Sequence, residues 1–298
     1  MKARIRPAVV ADASGIVGLG REIDPDQLAT DASFRELLER PPEPTTERLV
    51  AELDSLIVAW APSGAYESGA GWFWIGVQRS HRRRGLGGEL YERIEARLLG
   101  LGVVRIQTAP SDEDGRRFLV ARGFAVDQVI RHLELDPRTV AAGPAPGGDI
   151  RVASLAEATE HTEALFRLYA EARSDVPSVT PRPVWTLDEW RVETIDSPLI
   201  DVDASVVVFE HEEPVALAWL YSDREGRRAE ALMAATRRDR RGRGLATLAK
   251  TESARRAAAL GVTRIVTGND RENAPMLAVN RKLGFTETAV VESYVKRI

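Results

Sequence analysis

The chain has no cysteine among its 298 residues, which excludes a disulfide framework, a thiolate zinc site and a cysteine nucleophile. That absence suits a reducing compartment, and a cytoplasmic protein is expected. Long hydrophobic runs are also missing. No window approaches the roughly 18 apolar residues of a transmembrane helix, and charges interrupt the short apolar stretch of residues 1–10, so neither export nor membrane insertion is expected. There is little excess of one charge: 41 basic against 45 acidic side chains leave a net −4, which gives no reason to expect nucleic acid or an anionic membrane as a partner. Histidine is scarce. His81, His132, His161 and His211 are dispersed without the spacing of paired metal ligands, and no metal is expected.

What is present is a normal globular mixture, 44% hydrophobic and 29% charged, long enough for two ordinary domains. Comparing the chain with itself shows why. Ile5-Arg6-Pro7-Ala8 returns as Ile150-Arg151-Val152-Ala153, an offset of 145 positions. Arg82-Arg83-Arg84-Gly85-Leu86-Gly87 returns as Arg241-Gly242-Arg243-Gly244-Leu245-Ala246, and residues 101–108 return as 260–267, both at an offset of 159. Arg122-Gly123-Phe124 matches Leu283-Gly284-Phe285 at 161. Order and spacing are kept, so the chain is read as two copies of one unit. Residues 141–148 hold only Ala, Gly and Pro, with no large side chain to bury, and read as a linker. The division is residues 1–138, a linker at 139–148, and residues 149–298. The second copy carries a net 14 extra residues before its glycine loop, within a stretch that includes Asp175 to Trp190. Pro177, Pro181 and Pro183 stand there beside Trp185 and Trp190. This stretch is either a substrate-facing loop, or a structural cover over the sheet or a dimer contact.

Short apolar runs at Ser205–Phe209 and Pro214–Leu220 predict a hairpin, with a third strand over Glu230–Thr236. Leu245–Ala259 is made of good helix formers and ends at Gly261, and Arg264–Thr267 predicts a buried strand. Leu86, Leu90, Ile94 and Leu98 repeat at helical spacing in the first copy. The recurring unit is thus strand, basic glycine loop, helix, strand. Glycines at a helix N-terminus let backbone N–H groups approach a ligand, and the aligned peptide dipoles place roughly half a positive charge there, which suits phosphate. Neither loop continues into Gly-Lys-Ser/Thr or carries three spaced glycines, so nucleotide hydrolysis and hydride transfer are disfavoured.

The pattern of Arg-x-x-Gly-x-Gly/Ala after a strand, then helix, strand and a closing Leu-Gly-Phe or Arg-Gly-Phe, resembles the Gcn5-related N-acetyltransferases (GNAT) in both copies. The resemblance implies an α/β fold (α+β in some schemes) of two tandem domains, each a mixed, mostly antiparallel twisted sheet flanked by helices. It implies acetyl-CoA as co-substrate, its pyrophosphate held by Arg82, Arg83, Arg84, Gly85, Leu86 and Gly87 in the first copy. In the second copy the same role falls to Arg241, Gly242, Arg243, Gly244, Leu245 and Ala246. It further implies attack of an amine on the thioester; a primary amine of a small molecule is expected as acceptor, with a protein or peptide N-acetyltransferase, or a non-catalytic acyl-CoA-binding sensor or scaffold, as the alternatives. The oxyanion donor is then an amide of the preceding strand, around Ala234, Ala235 and Thr236 or Ile75 to Val77.

At the fixed offset Glu230 corresponds to Gly71, so only the second copy has a carboxylate there; it is read as a general base or as an exposed glutamate. Trp72 and Trp74 correspond to Ala231 and Met233 and are expected to pack in the first cleft. The tyrosine that many family members carry four residues before the Gly-Phe glycine is replaced by Leu119 and Asn280. Asn280 could hydrogen-bond the sulfur or pack a helix. Asn269 and Asn273, matched to Pro110 and Asp114, resemble contacts to the pantetheine arm. These differences make the second copy the expected catalyst. Asp175, Asp188 and Glu189 could attract a cationic amine, and Tyr294 is a reserve acid. The expected assembly is a monomer with an internal pseudo-dimer, or a homodimer.

Overall fold

The computed structural model of the chain describes residues 3–24, 28–143, 147–176 and 185–298. They form two compact units, one of residues up to 129 with 291–298, the other of residues 130–290. Pro177, Pro181 and Pro183, and residues 144–146 of the linker, lie outside the described residues.

In the first unit the strands are β1 (Arg4–Pro7), β2 (Thr46–Leu53), β3 (Leu56–Ala65), β4 (Ala70–Phe73), β5 (Gly76–Val77) and β6 (Arg105–Thr108). Its helices are α1 (Ala13–Ile23), α2 (Asp31–Glu39), α3 (Leu86–Gly100) and α4 (Glu113–Val120), followed by β7 (Ala125–Leu135). The second copy of the repeat follows the same plan with β8 (Ile150–Ser154), α5 (Thr162–Ser174), α6 (Leu187–Glu193), β9 (Val206–Glu210), β10 (Glu213–Asp223), β11 (Arg228–Thr236), α7 (Leu245–Ala259), β12 (Arg264–Asp270), α8 (Ala274–Leu283) and β13 (Thr286–Arg297).

Each sheet is antiparallel except at one place, where β4 runs parallel to β6 and β11 parallel to β12. Parallel neighbours need a crossover, and here it is the glycine loop and helix between them. The last strands are exchanged. Residues 130–135 of β7 pair with β12, Leu135 opposite Ile265, whereas Tyr294 of β13 pairs with Thr108 of β6. A boundary at 138–149 therefore does not separate the compact units, because each sheet is completed by a strand that the repeat assigns to the other copy.

The predicted helical spacing is realised in α3, where Leu90, Ile94 and Leu98 are fully buried. Each such side chain stabilises the fold by about 1.5–3 kcal/mol relative to exposure. The α7 helix follows a different plan. Ala249, Ala254 and Ala257 are buried, small enough to bring the helix close to the sheet, and Lys250, Thr251 and Ser253 are buried with them. Among the tryptophans, Trp190 is fully buried and its ring lies 5.9 Å from that of Trp219. Trp185 stacks on Tyr169 and receives Arg173 over its ring at 3.7 Å. The described part of the inserted stretch is thus structural cover.

Candidate functional site

In both copies the strand turns into the helix in the same way. A short 3-10 turn, Arg79–His81 or Arg238–Arg240, leads to a glycine N-cap in the left-handed region, Gly85 at φ 87° and Gly244 at φ 80°. A Cβ at either position would touch nothing within 4 Å, so glycine is required by the backbone angle and not by space. Glycine also brings no capping side chain, and the first amides of α3 and α7 have no side-chain cap. Arg82 Nε donates to the Val77 carbonyl at 2.9 Å, and Arg241 Nε donates to the Thr236 carbonyl at 3.1 Å. The first helix of each copy tethers the turn: Glu22 accepts from the Arg79 amide at 3.0 Å, and Glu171 from the Arg238 amide at 2.8 Å.

The loops differ in what surrounds them. Beside the first lies a cavity of about 370 Å³, walled by Ile75, Val77, Thr108 and Phe118 and bordered by Arg82, Gly85 and Gly87. Arg82 pairs with Asp112 at 2.5 Å, Arg83 reaches Asp114 only at 3.9 Å, and Arg122 lies over the Phe118 ring at 3.6 Å. Leu86 packs towards the core, so its part in holding a ligand falls to its amide. The uncapped amides, the cations and the adjoining hollow suit a diphosphate with an extended arm. Around the second loop the cations are engaged. Arg238 and Arg241 both pair with Asp175 at 2.5 Å, and Arg240 and Arg243 both pair with Glu210, at 2.6 and 2.7 Å. The guanidinium pairs hold each carboxyl down at about 2.

Glu230 is partly buried on β11, opposite Tyr221 on β10 and Val266 on β12, and is the last β11 residue paired with β12. Its counterpart is not Gly71. A bulge opposite Trp219 and Leu220 leaves Leu232 without a β10 partner, so β11 slips by one residue before the loop. Trp72, which ends the pairing of β4 with β6 and faces Gly64, holds the place of Glu230. A fixed sequence offset cannot detect a bulge. The ring of Trp72 lies against Gly64, where a Cβ would sit 2.8 Å from its Nε1. Trp74 keeps its match to Met233 and packs against the Ile16 and Trp60 cluster.

Asn280 is fully buried, donating to Asn269 Oδ1 at 2.6 Å, while its own Oδ1 has no partner. Asn273 caps α8, its Oδ1 accepting from the Met276 amide at 3.3 Å. Its counterpart is Asp112, which caps α4 in the same way, rather than Asp114. Ala235 and Leu245 are buried in core clusters, Ala234 borders a small cavity, and Gly242 takes φ 79° where Arg83 takes 62°. Ala246 lies in the first turn of α7 and is partly buried. Arg84 is exposed. Of the acidic candidates, Asp175 is held by two arginines and Glu189 closes a capping box with Thr186, leaving Asp188. Tyr294 belongs to the first unit's core and donates to Glu292 at 2.6 Å, so it is no acid for the second copy. Asp112, Glu210 and Lys250 gave no signal in sequence. The first two act through loop pairing, and the third sits on an alanine-rich helix with no clear apolar stripe.

Among the described residues no helix is long and apolar enough to cross a membrane. No curated protein matches the chain in sequence. Solved structures do. A GCN5-related N-acetyltransferase from Sphaerobacter thermophilus is 19% identical with a TM-score of 0.71, over 99% of this chain and 95% of that one. A tandem GNAT protein from the clavulanic acid biosynthesis pathway is 16% identical with a TM-score of 0.76, over 99% and 98%. The model of the acetyltransferase (GNAT) family matches residues 19–124 and again 162–285. The chain belongs to the GNAT acetyltransferase family, as a tandem pair of its domains.

Proposed function

We propose that this acetyltransferase moves an acetyl group from acetyl-CoA to a primary amine of a small molecule, with the chemistry in its second copy. One observation carries the assignment: where β11 and β12 part, the second copy has the carboxylate of Glu230, and the same place in the first copy holds Trp72. Acetyl-CoA supplies the acyl group as a thioester. Glu230 takes the proton from the acceptor ammonium, directly or through a water, so that the neutral amine can attack. Amides around Ala234, Ala235 and Thr236 donate to the carbonyl oxygen as negative charge grows on it, and the tetrahedral intermediate collapses by breaking the C–S bond, so that coenzyme A leaves as thiolate and takes up the second amine proton as the thiol. The loop from Arg241 to Ala246 holds the pyrophosphate, which competes with Asp175 for Arg241. This reading places the cysteine-free chain in the cytoplasm.

The first copy, in the same reading, binds acyl-CoA without turning it over. Its cavity favours binding, and Trp72 in place of a base removes the chemistry. Release of coenzyme A thiol from acetyl-CoA with a pool of small amines tests the enzyme assignment. Thiol release that depends on the amine supports it. Tight acetyl-CoA binding with no release would instead favour a sensor, and release only with peptide amines a protein acetyltransferase.

A further inference from the structure

The chain uses arginine for 37 of its 41 basic side chains and lysine for only four. One of the four, Lys250, is 7% exposed within α7. Its ammonium has no hydrogen-bond or ion-pair partner among the described residues, and it lies 5.1 Å from the centroid of the Phe285 ring. Ser253, one turn further along the same helix face, is 2% exposed and its hydroxyl is also without a partner. Both side chains border a cavity of about 20 Å³, room for one small polar group. Every other residue around it, from Ala218 on β10 through Met233 and Ala234 on β11 to Ile265 on β12 and Phe285, is uncharged and does not titrate. A cation carried on a side chain more than nine-tenths buried is stabilised when an anion pairs with it.

The position of the cavity says what could pair. It borders Ala234, and the matching residue of the first copy, Ile75, borders the 370 Å³ cavity beside that copy's loop. The hollow therefore borders the strand along which the acyl end of a coenzyme held at the loop would run. We infer that the second copy accepts an acyl-CoA whose short acyl chain ends in a carboxylate, with Lys250 and Ser253 as the groups that hold that carboxylate. The inference rests on the reading that this copy binds acyl-CoA. A plain acetyl group would leave the buried Ser253 hydroxyl unsatisfied and the ammonium without an anion; a terminal carboxylate would pair with both and neutralise the charge. Burial lowers the ammonium to about 8 in the free protein, so the preference should fade in alkaline solution.

The test is calorimetry on the full chain carrying Gly85→Glu, which silences the first loop, with succinyl-CoA, butyryl-CoA and acetyl-CoA. Butyryl has the same number of carbons without the carboxylate. Succinyl-CoA should bind about tenfold or more tighter than butyryl-CoA. Lys250→Met should erase that preference while acetyl-CoA affinity stays the same, which also shows that the variant folds. Ser253→Ala should erode it in part. Equal affinity for succinyl-CoA and butyryl-CoA, or a preference that survives Lys250→Met, would overturn the inference and leave the acyl-CoA reading standing. Failure of all three to bind would overturn both.

Discussion

Glu230 and Tyr221 face each other across β11 and β10, in the place that Trp72 and Gly64 take in the first copy. Tyr221 donates its hydroxyl to the Glu193 carbonyl at 2.8 Å, and burial pushes its phenol up to about 12. It therefore stays protonated at physiological pH, and of the two only Glu230 can accept a proton. Glu230→Gln keeps shape and hydrogen-bonding reach but removes the base. Turnover is expected to fall by ~10²–10⁴-fold with acetyl-CoA affinity nearly unchanged, measured by steady-state kinetics and calorimetry. A lower rate that returns when the amine is supplied already deprotonated, at high pH, would identify the lost step as proton removal.

Asp175 competes with the coenzyme for Arg241. Its carboxylate must give up one of two guanidinium partners when a phosphate arrives at the loop. Partly exposed ion pairs are worth about 0–1 kcal/mol, so Asp175→Asn should tighten binding at the second loop by up to about fivefold. A Gly85→Glu background isolates that loop in the titration. Weaker binding would mean that Asp175 positions the arginines for the coenzyme instead of competing for them.

Lys250 makes stability depend on pH in an unusual direction. Its ordinary 10.5 falls to about 8 in the folded chain because burial penalises the charged form. Between those values the unfolded chain binds more protons than the folded one, so this group makes stability rise with pH across that window. The gain is on the order of 3 kcal/mol by pH 10.5 and above. Chemical denaturation of the wild type and of Lys250→Met from pH 7 to 10.5 should show the rise as the difference between them. A flat difference would mean that the amine finds a partner or solvent in the folded state.

Much of the fold was legible because its signals are local. Leu245–Ala259 matches the helix residue for residue, and the hairpin at β9 and β10 follows from two apolar runs with charged residues between them. The glycine loops were legible because only glycine suits a left-handed N-cap, as at Gly85 and Gly244. What sequence could not show depends on partners distant in the chain. The bulge at Leu232 moves Glu230 into register with Trp72, and nothing local to either residue reports it. The exchange of β7 and β13 is likewise invisible, since both strands look alike whichever sheet they join. Asp112 and Asn273 fell out of step because the second copy has two more residues from the start of the strand, Arg105 or Arg264, to the start of the helix, Glu113 or Ala274.

The central claim, that acyl transfer belongs to the second copy, is tested most directly by thiol release from acetyl-CoA with a turning-over amine, comparing Gly244→Glu with Gly85→Glu. Each change puts a carboxylate at a helix N-terminus shaped for phosphate, and forces a side chain into a left-handed backbone position. Both loops are exposed there, so both variants should keep their fold, as circular dichroism would check. Gly244→Glu is expected to abolish thiol release, while Gly85→Glu leaves the rate within about twofold and removes one acetyl-CoA equivalent from the binding stoichiometry. Full activity in Gly244→Glu with loss in Gly85→Glu would contradict the account and make the first copy the enzyme.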